Sequence, residues 1–350
     1  MKPLRVMQSY PAIRPTTNPY IAMLDRSLAA TKGIEHLRFD WRRALLGRYD
    51  VLHFHWPETL FNSSSLPNRM AKRALFAALI VRLRLGRVAV VRTVHNLQLP
   101  SDVTRFQRLL LTQVERATAL RIRIGETTVL PADQPSVEIL HGDYREWFAA
   151  SPRREAMGGR LAFVGLIRRY KGVEDLISAF RSIPEASEGL TLAIAGQPTS
   201  DGLADEIQGL AAGDARISVR LGFLDDDEFV AAMTEARLVV LPYRFMHNSG
   251  SVLAALSLDR AVLVPRNDAN TALSREVGPG WVLMYDDELD AAALRAAADA
   301  VTAAPPDERP DLSRRGWDDA GRRHAEAYAL AVDLRSDSRR APQRGSSAAE

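Results

Sequence analysis

The chain has 350 residues, of which 46% are hydrophobic and 25% are charged, the composition of an ordinary globular protein. Residues 1–150 hold 22 Lys and Arg against 12 Asp and Glu, whereas residues 151–350 hold 24 against 31, so a basic first part offsets an acidic second part. No apolar run is long enough to span a membrane, and the absence of cysteine excludes disulfides and thiolate metal sites. These features predict two domains in a reducing cytoplasm and an acidic partner for the basic part.

Short apolar runs alternate with helix-like segments along the whole chain. The strand-like runs are, in order, LRVMQSY, IEHLRF, DVLHFHW, VAVVRTVHN, LRIRIG, VEILHG, LAFVG, LTLAIAG, ISVRLGF, LVVLP and AVLVP. Helices are predicted near 69–87, 172–182, 202–212, 226–236, 250–258 and 313–333. Apolar strands joined by crossover helices indicate parallel sheets that are covered on both faces. We therefore predict an α/β protein with two Rossmann-like, doubly wound domains facing a cleft.

The domain boundaries follow from changes in composition. The alternation is lost around Pro152, Gly158 and Gly159, which predicts a linker. The predicted segments are a first domain (1–147), the linker (148–160), a second domain (161–312), a helix that could cross back to the first domain (313–334) and a disordered polar tail (335–350).

The stretch FVGLIRRYKGVEDLISAF, residues 163–180, places a basic turn between a strand and a helix. Arg168, Arg169 and Lys171 lie in this turn, after Gly165. A helix N-terminus already carries partial positive charge, so cations beside it indicate an expected anion. The carboxyl end of a strand is where ligands collect in such sheets, which favours an anion site over a solvated basic turn.

A second anion site is predicted in NSGSVLAALSLDRAVLVP, residues 248–265. Ser249 can cap a helix that begins near Gly250, and the missing side chain of that glycine lets an anion approach the N–H groups of Ser251 and Val252. A plain capped helix would explain Ser249 alone. The doubled small residues around Gly250 favour a phosphate site.

Three histidines of the first part follow or end predicted strands. His53 and His55 alternate in DVLHFHWPE and so share one face, and His95 ends VVRTVHN. A neutral imidazole can accept the proton of an attacking hydroxyl, and Glu58 could do the same or orient a ring. We expect His53 to be structural, leave His55 open between the two roles, and favour His95 as a base.

The basic turn resembles the phosphate-binding segment of GT-B glycosyltransferases of the family-4-like type, on the match of Gly165, Lys171, Gly172 and the LI.AF helix. TTNPYI, HFHWPE and TVHN more loosely resemble segments of bacterial exopolysaccharide mannosyltransferases that use GDP-mannose. The resemblance implies a hexosyltransferase acting in polysaccharide or glycoconjugate synthesis, with a nucleoside-diphosphate sugar as donor and a glycan or polyprenyl-linked glycolipid as acceptor. It implies donor contacts by Gly165, Arg168, Lys171, Gly222, Phe223 and Leu224, and acceptor contacts by Thr17 and Asn18. The helix start described above adds Asn248, Ser249, Gly250 and Ser251 to the predicted donor contacts. His95, Glu58 and His55 are the catalytic candidates.

The chain departs from the retaining members of that family at two positions. Where they carry two glutamates, this sequence has Met246 and Ala254. Loss of both carboxylates disfavours retaining chemistry, and a histidine base implies inversion if the attack is direct. No cofactor is predicted. No metal ion is predicted either, because the acidic run LDDDE, residues 224–228, is interpreted as a helix cap and not as a metal-binding motif.

The segment 69–87 has an apolar stripe of five residues, Leu75, Phe76, Leu79, Ile80 and Leu83, flanked by cations. It predicts a domain helix packed on its sheet, a contact with an anionic membrane at the inner face of the plasma membrane, or both at once. Two other functions remain open. A sugar-nucleotide epimerase would use the same phosphate site, and a non-catalytic protein could bind a membrane or polyanion through its basic part. Nucleic acid is not an expected partner, because no recognition module is present.

Overall fold

The computed structural model describes residues 2–63, 65–95, 104–184, 189–244, 249–304, 306 and 308–340. The chain divides into two compact units. Unit 1 comprises residues 1–142 and 315–350, and unit 2 comprises residues 143–314. Each unit is built on one six-stranded sheet in which every strand pair is parallel. The predicted α/β fold class is therefore confirmed.

The described part of residues 1–142 forms six strands and four α-helices. The strands are β1 (Leu4–Gln8), β2 (Ile34–Leu37), β3 (Val51–Phe54), β4 (Ala89–Val94), β5 (Thr118–Arg123) and β6 (Ser136–Glu138). The helices are α1 (Pro19–Ala30), α2 (Trp41–Leu46), α3 (Leu66–Leu85) and α4 (Arg105–Ala117). The sheet order is β2-β1-β3-β4-β5-β6, so β3 and β4 lie in its middle. The order of successive strands reverses at β1, because β2 lies on one side of β1 and β3 on the other. Ligands collect at such reversal points in doubly wound sheets.

The core on one face of this sheet depends on α3. Phe76, Leu79, Ile80 and Leu83, four of the five residues in the predicted stripe, are buried together with Phe54 of β3. Burial of each such side chain stabilises the fold by about 1.5–3 kcal/mol relative to exposure. The domain-helix interpretation of this segment is thus confirmed.

Unit 2 repeats the architecture with β7 (Arg160–Val164), β8 (Thr191–Gly196), β9 (Ile217–Leu221), β10 (Leu238–Val240), β11 (Ala261–Pro265) and β12 (Val282–Tyr285). Its helices are α5 (Val173–Arg181), α6 (Asp201–Ala211), α7 (Asp226–Glu235), α8 (Gly250–Ser257), α9 (Asp268–Val277) and α10 (Ala291–Ala303). The sheet order is β12-β11-β10-β7-β8-β9. Asp225 caps α7 in a capping box with Glu228, so the acidic run at residues 224–228 is a helix cap, as predicted.

The last helix, α11 (Trp317–Arg340), belongs to unit 1 and packs on α1, β4 and β5. It continues through Arg340, six residues beyond the predicted helix end at residue 334, and residues 341–350 lie outside the described part. The division between the units falls at 142/143 and 314/315 rather than at the predicted linker. Residues 143–159 hold no helix or strand, and contacts with unit 2 assign them there.

None of the helices in the described part of the chain is both long enough and apolar enough to cross a bilayer.

Candidate functional site

The basic turn of unit 2 follows β7 and ends in a left-handed glycine. Residues 169–171 form a short 3-10 helix, and Gly172 (φ 65°) caps it and begins α5. A Cβ on Gly172 would lie 2.4 Å from the carbonyl oxygen of Pro242, so only glycine fits there. Gly165, at φ 129°, has no described atom within 4 Å of an added Cβ, which leaves one side of the turn open.

Lys171 is a buried cation within this turn, only 7% exposed. Its Nζ lies 5.0 Å from the ring centroid of Tyr243 and 5.9 Å from that of Phe163. Burial, with a smaller contribution from the positive charge of Arg168, lowers the pKa of Lys171 from 10.5 to about 8. An anion bound beside Lys171 would therefore stabilise the charged form of its side chain.

Neighbouring cations differ in whether a carboxylate already neutralises them. Arg169 pairs with Glu174 and Glu206 at 3.3 and 2.8 Å. Within the described ranges, no carboxylate pairs with Lys171 or with the exposed Arg168. Two of the three predicted cations thus lack a counterion, which is the arrangement that an anionic ligand requires.

Helix α8 begins close to these cations because Tyr243 connects them. The Tyr243 ring lies under Lys171, and its hydroxyl is 3.0 Å from Oγ of Ser251 in the first turn of α8. Ser249 caps α8 as predicted, accepting from the backbone N–H of Val252 at 3.3 Å. That N–H was expected to be available to an anion, and this expectation is wrong because the cap occupies it. Asn248 and Met246 lie outside the described residues.

The other predicted donor contacts gather at the carboxyl edge of the same sheet. Gly222 directly follows β9, and its N–H donates to the carbonyl of Gly196 at the end of β8. Gly165 follows the adjacent β7 and donates to the carbonyl of Ala195. Phe223 is 62% exposed beside this edge, and Leu224 precedes the α7 cap. Sequence reasoning missed Tyr243, although a tyrosine directly after LVVLP lies at this same edge.

In unit 1 the three predicted histidines lie together. His95 stacks on Trp56 with ring centroids 3.9 Å apart, and its Nε2 is 3.4 Å from Nδ1 of His55. The ring of His53 lies 4.3 Å from that of His55, as the shared strand face requires. His53 is fully buried with both ring nitrogens hydrogen bonded, which agrees with the expected structural role.

Burial keeps these imidazoles neutral. It lowers the pKa of His95 well below 6.5, and His55, His141 and Arg92 lower it further. Burial also lowers the pKa of His55 to about 3. A neutral imidazole has a lone pair, so His95 can accept a proton across the physiological pH range.

Glu58 does not have the predicted relation to these rings. It lies in the 3-10 turn Pro57–Leu60, and none of the described hydrogen bonds joins it to His55 or His95. Burial raises its pKa, whereas the charge of Arg92 lowers it. Nε2 of the His55 ring is bonded to Oε1 of Gln8 at 3.1 Å.

The two predicted acceptor contacts, Thr17 and Asn18, make local hydrogen bonds before α1. Asn18 caps that helix by accepting from the backbone N–H of Tyr20 at 2.9 Å, and Thr17 Oγ1 accepts from the N–H of Arg14. The cap positions Tyr20, whose ring meets His95 edge-on at 5.4 Å.

A cavity of about 470 Å³ opens beside the histidines of unit 1. Its walls include the aromatic rings of Phe39, Trp41 and Trp56, and His55 also lines it. Asp40 and Lys72 supply one charge of each sign. In the part of the chain that the structure describes, no group of three or more His, Asp or Glu side chains could hold a metal ion.

Two doubly wound units, each built on a six-stranded parallel sheet, define the fold class as GT-B. Starch synthase IV from Arabidopsis thaliana, solved with ADP and acarbose, is 11% identical and superposes with a TM-score of 0.61 over 95% of this chain and 100% of that one. A structure described as a UDP-N-acetylglucosamine 2-epimerase from Listeria monocytogenes is 13% identical, with a TM-score of 0.52 over 93% and 96%. Both likenesses concern the fold alone.

Sequence comparison identifies the family. The model of the glycosyl transferases group 1 matches residues 158–301, all within unit 2. A GDP-mannose:glycolipid 4-beta-D-mannosyltransferase of Xanthomonas campestris pv. campestris is 42% identical over 322 residues, 92% of this chain and 90% of that protein. The chain belongs to the group 1 glycosyl transferases and is a hexosyltransferase.

Proposed function

We propose that this enzyme transfers mannose from GDP-mannose to a hydroxyl group of a glycolipid. The observation that carries the proposal is the 42% identity, over 92% of the chain, to a mannosyltransferase with that donor and acceptor class. Tyr243, which lies under the unneutralised Lys171 and bonds Ser251 in the first turn of α8, links two anion-binding features and so supports a nucleoside-diphosphate donor in unit 2. The aromatic cavity of unit 1 supports a sugar-bearing acceptor, because sugar rings pack on indole faces.

Transfer would proceed by direct displacement with inversion. A β-linked product from an α-linked nucleotide sugar requires one inversion, and therefore a base for the attacking hydroxyl and a stabilised leaving group. His95 is the base. Lys171, Arg168 and the N-terminus of α8 bind the negative charge that grows on the departing diphosphate, which lowers the barrier more than it stabilises the bound donor.

The test is a transfer assay with purified enzyme, labelled GDP-mannose and a lipid extract as acceptor. We expect label in the lipid phase, and thermal stabilisation by GDP and GDP-mannose beyond that by UDP and UDP-glucose. Conversion of the donor into an epimeric nucleotide sugar would instead identify an epimerase. Anionic vesicle binding without any donor turnover would identify a non-catalytic protein. Either result overturns the proposal.

We further propose that unit 1 binds the inner face of the plasma membrane. Helices α3 and α4 pack together and expose four apolar side chains, Leu66, Met70, Phe106 and Leu109, which are 58, 64, 46 and 54% exposed. Cations surround them: Arg69, Arg73, Arg105 and Arg108, none of which pairs with a carboxylate among the described residues. Arg73 lies 5.9 Å from the Phe106 ring and so joins the two helices.

This apolar and basic surface fits an anionic bilayer, which the cytoplasmic leaflet provides. A chain without cysteine suits that reducing side of the membrane. The double variant Met70→Ser with Phe106→Ser should bind vesicles containing anionic lipid at least about tenfold more weakly, since roughly 0.8 kcal/mol is lost per CH₂ no longer buried. Val129→Ser, at an 82% exposed apolar residue of the same unit, is the matched control. Equal sedimentation of both variants with vesicles would reject the surface.

A further inference from the structure

The nitrogen of His95 that carries the proton decides whether this ring can act as a base. A neutral imidazole has one donor and one acceptor nitrogen. Nε2 of His95 faces Nδ1 of His55 at 3.4 Å, and no described residue makes a hydrogen bond to Nδ1 of His95. Nδ1 is thus the nitrogen left for the acceptor hydroxyl. It must be bare to receive a proton, so Nε2 must carry the hydrogen.

The hydrogen bond between His55 and Gln8 explains why Nε2 of His95 carries the hydrogen. Nε2 of His55 lies 3.1 Å from Oε1 of Gln8. A carbonyl oxygen only accepts, so Nε2 of His55 donates and Nδ1 of the same neutral ring is bare. That bare nitrogen accepts from Nε2–H of His95. The proton position on His95 therefore depends on the Gln8 amide, which acts through the ring of His55.

Tyr328 of α11 bonds the other end of the Gln8 amide. Nε2 of Gln8 donates to the Tyr328 hydroxyl at 3.0 Å, and that hydroxyl lies 2.8 Å from Nδ1 of His53. Nε2 of His53 in turn lies 2.8 Å from Oγ1 of Thr93. Gln8, His53, Thr93 and Tyr328 are all fully buried, so water cannot replace a lost partner. Turning the amide over would require every donor along the chain to reverse.

We propose that Gln8 and Tyr328 are positioning residues, which hold His95 as the Nε2–H tautomer and so leave its Nδ1 as the base that deprotonates the acceptor hydroxyl. The proposal rests on the proposed function for the role of His95. It adds the reason why Nε2 of His95, and not Nδ1, carries the proton. A carboxylate performs this task for the histidine of hydrolytic triads, and here a neutral amide does.

The surroundings of the two rings favour this neutral arrangement. The charged or titratable groups that face them are His53 on β3, Arg92 on β4, Tyr10 after β1, Tyr20 on α1, His141 after β6 and His324 on α11. Burial lowers the pKa of both His141 and His324 to about 4, so they are uncharged at neutral pH. No carboxylate is among these facing groups in the described part of the chain. Two neutral imidazoles in series can therefore keep a defined proton order.

Two variants of Gln8 test which atoms donate and which accept in the hydrogen bonds that join Gln8, His55 and His95. In Gln8→Glu the carboxylate can only accept from His55 Nε2–H, so we expect kcat to stay within about threefold of wild type above neutral pH and its acid limb to move to higher pH. In Gln8→Met the acceptor is lost, and kcat should fall roughly 10- to 100-fold, with the donor KM unchanged. Activity that is lost in Gln8→Glu at all pH values, while the variant remains folded, would show the opposite proton order and overturn the proposal.

Tyr328→Phe supplies the second test, in two backgrounds. With Gln8 present, loss of the hydroxyl lets the amide turn, and kcat should fall about tenfold. With Gln8→Glu present, both oxygens accept, so Tyr328→Phe should have little further effect on kcat. Tyr49→Phe is the control for losing a buried tyrosine hydroxyl, because Tyr49 bonds the Ala44 carbonyl at 2.7 Å, outside the chain of groups. Equal kcat losses for Tyr328→Phe in both backgrounds would indicate only a structural role.

Nuclear magnetic resonance separates this inference from the proposed function. In protein labelled with ¹⁵N-histidine, long-range proton–nitrogen correlations distinguish the two tautomers, and the His95→Gln spectrum assigns His95. We expect Nε2–H on His95 in wild type and Gln8→Glu, and a mixture in Gln8→Met. An Nδ1–H signal in wild type overturns the inference even if mannosyl transfer is observed. Absence of transfer would reject the proposed function and leave the tautomer result standing.

Discussion

Replacement of His95 by Gln is expected to lower kcat by about 10²–10⁴-fold, the usual contribution of a general base. The variant keeps a planar polar side chain against Trp56, so the surrounding packing is retained. Affinity for the nucleotide donor, measured by calorimetry, should change less than twofold, because the predicted donor contacts belong to unit 2. An unchanged kcat would remove His95 as the base.

The pH dependence of the wild-type rate tests the same assignment. Burial lowers the pKa of His95 well below 6.5, and only the neutral ring accepts a proton. The rate should therefore stay level as the pH falls through 6.5 and decline only at lower pH. A decline centred at or above 6.5 would indicate a different base or a solvent-exposed histidine.

Replacement of Lys171 by Met should weaken GDP-mannose binding roughly 10- to 100-fold, as expected for loss of one charged hydrogen bond to phosphate. The cause is that Lys171 has no carboxylate partner among the described residues, so its charge is available to the ligand. Arg169→Met is the matched control: it removes an adjacent cation that Glu174 and Glu206 already neutralise. Similar donor affinities for the two variants would reject the site.

The lowered pKa of Lys171 also predicts how the donor KM and the stability of the free enzyme change with pH. Its pKa in the free protein is about 8, against 10.5 for an ordinary lysine, so the free enzyme loses this charge as the pH rises through 8. The donor KM should therefore rise above pH 8, and Lys171→Arg should remove that rise because arginine stays charged. Between pH 8 and 10.5 the unfolded chain binds the extra proton, so the stability of the free enzyme should increase with pH there.

The sequence by itself determined the fold class and the position of the basic turn in the proposed donor site. Parallel strands and crossover helices produce regular apolar periods, and a strand–turn–helix segment keeps its residues together by covalent connection, so the turn at 165–172 was recognisable. The helix caps at Asp225 and Ser249 were predictable for the same reason, since a cap acts within three residues of its own position.

Only the tertiary structure decided which polar groups are partners. Tyr328 lies 320 residues from Gln8 in the chain, and the sequence, which predicts a helix that could cross back to the first domain, has no signal for this particular side-chain contact. The sequence offers Glu58 as a possible base or orienting group, whereas Gln8 of the neighbouring strand bonds Nε2 of His55. The charge balance of the basic turn was likewise decided in the folded structure. Among the described residues, Glu174, five residues along the chain, and Glu206, 37 residues along, pair with Arg169 and with neither Arg168 nor Lys171, because pairing depends on distances in space.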